Sequence, residues 1–159
     1  MRYEVRAATL DDLDVLVRHR IAMFTEMGRQ MDTAAIGAAF AVWLRQQMPG
    51  GAYRAWLVDA IDGGARRIVA GGGATVIPWP PGPQYAGDRL AFVYNVYTDA
   101  EHRRQGLARL VMEAIHEWCA ANGVGSIALN ASDDGRRLYE TLGYVVTPSP
   151  MMFFSVVKV

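Results

Sequence analysis

The chain holds one cysteine, Cys119, and one lysine, Lys158, among its 159 residues. A single thiol excludes an internal disulfide, and no CxxC or Cys/His cluster exists to hold a structural metal. Basic and acidic residues balance at 16 each, so no net positive field grips a polyanion, and nucleic acid is not an expected partner. The longest uninterrupted apolar run, residues 34–44, falls far short of the roughly 18 residues that a membrane span needs. The opening MRYEVRAATLDD breaks its apolar content with charges and has no signal-peptide core, so a reducing, cytoplasmic setting is expected. What is present is a hydrophobic content of 52%, enough to fold one compact domain over residues 1–159. Every basic residue except Lys158 is arginine, a planar, always-charged fork suited to phosphate.

Thr9 can cap a helix, with Asp12 completing a capping box, and Leu13, Leu16, Val17, Ile21 and Phe24 recur at helical spacing as far as Gly28. A second helix starts at Asp32 or Thr33 and stops at Pro49-Gly50-Gly51, so two helices are expected before any sheet. Residues 55–60 and 68–77 read as an antiparallel hairpin around Asp62-Gly63-Gly64, with Gly71, Gly72 and Gly73 weakening the second strand or marking a bulge. The segment PWPPGPQYAG, residues 78–87, must be a loop; Trp79 and Tyr85 have no regular element there to pack into and could belong to a lid. Then come a strand (90–98), a helix (107–121), a strand (126–130) and a short helix (133–142), which imply a parallel pair joined by a crossover. A last run, 151–157, reads as a strand that could also pair with a second copy as a homodimer.

Chemistry concentrates in residues 90–144. The helix from Leu107 carries Leu110, Val111, Ala114, Ile115, Trp118 and Cys119 on one face, the spacing of a helix lying on a sheet. Before it stands Arg103-Arg104-Gln105-Gly106-Leu107-Ala108. Small residues there let a ligand approach the backbone, and the free amides of a helix start favour an anion. Arginines at that end oppose the helix dipole unless a phosphate neutralises both.

These residues resemble the GCN5-related N-acetyltransferases (GNAT family), whose phosphate-loop signature is Arg or Gln, two residues, Gly, one residue, then Gly or Ala. Arg103, Gly106 and Ala108 match it in order. The stretch Leu138-Tyr139 through Leu142-Gly143-Tyr144 is similar to the family's second signature, an aliphatic residue and Tyr before a Leu-Gly-aromatic end. The resemblance implies an α/β fold with a mixed central sheet, flanking helices and a splayed parallel strand pair. It also implies an acetyl-CoA donor, with diphosphate on Arg104, Gln105, Gly106, Leu107, Ala108 and Arg109, and the pantetheine arm along Val96, Tyr97 and Thr98. Tyr139 would protonate the leaving thiolate, its phenol being protonated at neutral pH. The expected reaction is direct transfer of acetyl to a primary amine of a small molecule. Rival readings are an inactive acyl-CoA sensor, or an acyltransferase using a hydroxyl acceptor or a longer acyl chain.

Two positions depart from that pattern. Counting back from Arg103, Phe92 stands where many members carry a glutamate base; Asn95, Tyr94 or Tyr97 could order a water instead, and Glu26 could reach in from helix one. Ser132 replaces a frequent Asn, while Asn130 lies on the same face if its strand continues that far; either could bind the pantetheine. For the acceptor pocket the candidates are Met23, Met27, Trp79, Tyr85 and Tyr94, weighed against ordinary core packing. Cys119 is expected to pack against the sheet, and His19 and His102 to lie at the surface or in loops.

Overall fold

A computed structural model describes residues 1–157. Its single sheet has five strands in sequence order: β1 (Arg2–Ala7), β2 (Tyr53–Asp62), β3 (Ala65–Pro78), β4 (Arg89–Thr98) and β5 (Ser126–Leu129). The first three junctions are antiparallel and β4–β5 is parallel. Helices α1 (Leu13–Glu26) and α2 (Thr33–Gln47) precede β2; α3 (Leu107–Ala121) crosses from β4 to β5, and α4 (Asp133–Thr141) follows β5.

Strand alternation splits the core into two layers. Tyr53, Ala55 and Leu57 of β2 face α1 and α2, meeting Leu16, Phe40 and Leu44. Trp56 and Val58 point the other way, with Val69, Ala91 and Val93, against Leu107, Val111, Met112, Ile115 and Cys119 of α3. Each large aliphatic side chain buried in these layers contributes about 1.5–3 kcal/mol. At the start of α1 the capping box is formed: Thr9 Oγ1 accepts from the amide of Asp11 and Asp12 Oδ2 from that of Thr9. The box closes a short 3-10 turn, residues 10–12, that runs into α1.

The structure corrects three expectations. A strand, β1, precedes the helices; its alternation sets Tyr3 against the α3 layer and turns Arg6 onto the buried carboxylates of Asp12 and Asp59. The run 151–157 forms no strand, and Met152, Phe153 and Phe154 are 84–91% exposed. β propensity alone does not make a strand without pairing to a neighbour. Histidines 19 and 102 are buried, not superficial: His19 packs on Tyr97 with ring centroids 5.1 Å apart, and His102 Nδ1 lies 3.0 Å from the Tyr3 hydroxyl.

Candidate active site

The parallel pair is short. Its last register partners are Val93 and Leu129, after which β4 runs on through residues 94–98 with β3 on one side and no strand on the other. At the divergence sits Asn95, a buried residue in the left-handed region, φ 61°, beside the register shift between β3 and β4. Asparagine tolerates that conformation better than most side chains. Its amide oxygen accepts from Arg20 Nη1 at 2.5 Å, and its Nδ2 donates to the Tyr53 hydroxyl at 3.2 Å. The Tyr53 ring stacks on Tyr94, 5.7 Å away, and the Tyr94 hydroxyl is hydrogen-bonded to that of Thr75. Burial raises both phenol pKa values, that of Tyr94 to about 12, so both are protonated at neutral pH.

Beyond the end of β4 the chain turns through Arg104 (φ 63°) and Gly106 (φ 81°) into α3. The first amide of this helix to find a backbone acceptor is that of Leu110, on Gly106 O at 3.1 Å. The amides of Arg104 through Arg109 donate to nothing among the described residues. Nothing lies within 4 Å of where a Cβ on Gly106 would stand, so the loop presents a bare backbone beside six free donors. Most neighbouring side chains are already engaged. Arg103 donates to Thr98 O at 3.0 Å and to Glu26 Oε2 at 2.5 Å; Gln105 Oε1 accepts from the Tyr3 hydroxyl at 2.7 Å; Arg109 reaches Thr141 Oγ1 at 2.8 Å. Arg104 makes no hydrogen bond or ion pair among the described residues, so its guanidinium is available to an anion.

Glu26, at the end of α1, also accepts from the Tyr97 hydroxyl at 3.2 Å, so the predicted candidates Glu26, Tyr97 and Arg103 meet in one cluster. Val96 turns to the other face and packs with the α3 layer. Tyr139 is half-buried on α4, edge-on to Tyr144 at 5.8 Å; the Tyr144 hydroxyl is 2.7 Å from His116 Nε2. Burial raises the Tyr139 phenol pKa, keeping its proton in place at neutral pH. β5 ends at Leu129, so the strand does not reach 130–132. Asn130 is exposed just past it, and Ser132 caps α4, its hydroxyl accepting from the Gly135 amide at 3.2 Å.

Met27, with Phe24, Arg29, Met31 and Ile36, lines an open depression of about 290 Å³ between the end of α1 and the start of α2. Met23 is half-buried on the preceding turn. Trp79 and Tyr85 pack on each other, ring centroids 5.4 Å apart, in a loop tied by the Ala86 amide to Ser126 Oγ at 2.9 Å. That contact holds them at the opening of β5, toward the other end of the strand pair from residues 94–98. Phe92 lies beside Tyr94, 6.1 Å between rings, and brings no ionisable group. Among the described residues no group of three or more His, Cys, Asp or Glu is placed to hold a metal ion, and no helix is long and apolar enough to cross a membrane.

Sequence reasoning passed over Arg20, Tyr53 and Tyr3. For Arg20 a signal existed: it falls between Leu16 and Phe24 on the helix face that otherwise turns inward. An arginine at such a position asks what it pairs with. Tyr53 and Tyr3 join segments roughly 40 and 100 residues apart, which no local pattern encodes.

A splayed parallel pair, a loop of bare amides at its carboxyl end and a tyrosine on the following helix define an acyl-CoA-dependent acyltransferase architecture. The chain belongs to the acetyltransferase (GNAT) family, whose model matches residues 24–144. It is similar to a GCN5-related N-acetyltransferase from Ralstonia eutropha JMP134, at 33% identity over 96% of this chain and 99% of that one, with a TM-score of 0.83. A predicted acetyltransferase from Clostridium acetobutylicum, solved with acetyl-CoA, shares the fold at 20% identity and a TM-score of 0.83, covering 96% of each chain. Glucosamine-6-phosphate N-acetyltransferase from Arabidopsis thaliana shares it at 15% identity and a TM-score of 0.68, over 97% of this chain and 99% of that one. The curated proteins include no match. The family places the chain among acetyltransferases, which use acetyl-CoA as co-substrate.

Proposed function

We propose that this chain, as one catalytic unit over residues 1–159, transfers the acetyl group of acetyl-CoA to the primary amine of a small molecule by direct attack. The observation that carries this reading is the run of free amides at 104–109 beside the open edge of β4. Those amides and the Arg104 guanidinium suit a diphosphate, and the helix dipole adds to their field. The edge at Val96–Thr98 offers peptide groups to the amides of a pantetheine arm, as to an added strand. Exposed Asn130 can bond the same arm, while Ser132 is spent on its cap.

When bound, acetyl-CoA supplies a thioester carbonyl and a thiolate leaving group. The amine nitrogen forms the C–N bond as the C–S bond breaks. Tyr139 gives its phenolic proton to the sulfur, and water returns one to the phenolate. The proton shed by nitrogen leaves through a water held by Tyr97, Glu26 and Asn95. Arg103 positions rather than reacts: it clamps Glu26 and the Thr98 carbonyl, tying the end of α1 to the end of β4.

Thiol release from acetyl-CoA over a panel of amines tests this. Tyr139→Phe should lower kcat about 100-fold and leave the KM for acetyl-CoA within about threefold. An unchanged kcat, or no heat on titrating coenzyme A into the wild-type protein, would overturn it. Tight binding without turnover of any amine would point to a sensor, and the product mass separates N- from O-acylation and fixes the acyl length.

A further inference from the structure

Half-buried arginines on this protein have carboxylate partners, with one exception. Arg6 pairs with Asp12 at 2.7 Å and Asp59 at 3.0 Å, and Arg109 lies 3.8 Å from Glu113. Arg20 has no carboxylate within 4 Å among the described residues, although its guanidinium is wedged between the rings of Phe24 and Phe40, 4.8 and 4.7 Å from their centroids. Burial lowers its pKa, the response of a charge taken from water without a counter-ion.

A guanidinium has five N–H donors, and here one is used, on Asn95 Oδ1. The sealed polar atoms lacking partners among the described residues are Asp59 Oδ1 and Asp99 Oδ2, so the other donors of Arg20 still reach open space. The hydroxyls next to it, those of Tyr53 and Tyr94, are neutral. The result is a pre-oriented single positive charge, flanked by aromatic rings, bonded to the residue at which β4 leaves β5. The same Phe24 ring that stacks on Arg20 also lines the depression formed with Met27, Met31 and Ile36.

We propose that Arg20 is the specificity-determining residue of the acceptor site, and that the acceptor is an amine carrying a carboxylate and an apolar side chain, of the amino-acid class. This rests on the acetyl-transfer reading above. A carboxylate matches the single charge and the planar fork, which bind it through two parallel hydrogen bonds. Phosphate would bring a second negative charge into a site with one buried cation and phenols that stay protonated. The apolar side chain enters the α1–α2 depression, and the amine, a bond or two from the carboxylate, is held at the bulge where the acetyl group is delivered along residues 94–98. A peptide or protein amino terminus has no carboxylate at that distance and is rejected, because the fork would be left unpaired.

The test compares acetylation of L-leucine, L-leucinamide and 3-methylbutylamine, which share the aliphatic body and differ in the carboxylate. For the wild-type protein kcat/KM for L-leucine should exceed that for either uncharged analogue at least about 100-fold, the difference lying in KM. Arg20→Gln should shrink this ratio to within about threefold, and Arg20→Lys, which keeps the charge and loses the fork, should fall between. Arg45→Gln, an exposed arginine at the far end of α2, should leave the ratio as it was. Should Arg20→Gln not fold, calorimetry of the wild-type protein with coenzyme A and N-acetyl-L-leucine or its amide reads the same preference without a variant. Equal rates for the three amines, or an equal fall for all three in Arg20→Gln, overturn the proposal while leaving acetyl transfer intact. Absence of coenzyme A binding overturns both.

Discussion

Of the positions near the site that lie in the left-handed region, Asn95 and Gly106 respond differently to substitution. Asn95 holds a left-handed conformation because its amide bonds Arg20 on one side and Tyr53 on the other. Asn95→Ala keeps the conformational cost and leaves the Arg20 donor and the Tyr53 hydroxyl acceptor without their partner, so it should lower stability by about 2 kcal/mol in urea unfolding. A loss under about 0.5 kcal/mol would mean that the bonds are already replaced by water. Gly106 is the opposite case. It has open space where a side chain would go, so Gly106→Val pays chiefly the left-handed penalty of about 1–2 kcal/mol, with no clash against the protein. The branched side chain would stand over the free amides, and the dissociation constant for coenzyme A should rise more than about tenfold in calorimetry. Unaltered affinity would remove the loop from the binding site.

The elements around the sheet explain both what the sequence disclosed and what it hid. Gly71, Gly72 and Gly73 of β3 are small because both faces of the sheet press on them. A Cβ at 71 would meet Leu57 Cδ2 at 2.7 Å, one at 72 would meet Val111 Cγ1 at 2.9 Å, and one at 73 would collide with the Tyr53 ring. Gly72→Ala should therefore cost about 1–3 kcal/mol by forcing α3 and β4 apart, and a neutral result in thermal or urea melts would show that the layers can slide. The run was readable as a weak place in a strand; the side chains that require it come from β2 and α3 and were not. Helix α3 was legible to its last residue, since its apolar stripe and the Asn122-Gly123 stop are local. β1 was missed because the partner that makes it a strand, β2, lies beyond both helices in the sequence, and 151–157 was read as a strand from composition alone, although a strand exists only where it pairs. The loop at 103–108 could be seen because its signature is contiguous. The cluster of Arg20, Tyr53 and Asn95 could not, because these residues meet only through the fold.

At the scale of the whole molecule, charge balance conceals buried groups whose titration couples to folding. His19 is 2% exposed on α1, and burial, helped by the Arg18 guanidinium 3.1 Å from its Nε2, pushes its pKa from 6.5 down to about 4; Asp99 opposes this weakly. Tyr97, the other group against its ring, is neutral, its pKa raised. Below pH 6.5 the unfolded chain takes up a proton that the folded protein refuses until about pH 4. Stability is therefore fully present above pH 6.5 and declines as pH falls to about 4, by about 3 kcal/mol at about 1.4 kcal/mol per pH unit. Asp12 acts lower on the scale. Arg6 holds its carboxylate below the ordinary 3.8, so its contribution is intact at pH 4 and is lost as pH drops through that depressed value. Urea midpoints measured from pH 7.5 to pH 3 should thus fall in two stages, and in His19→Gln the first should shrink to what His116, whose pKa burial also lowers, still contributes, while the second persists. A wild-type profile flat between pH 6.5 and pH 4.5 would mean that the histidine is protonated in place, with Asp99 rather than burial governing it.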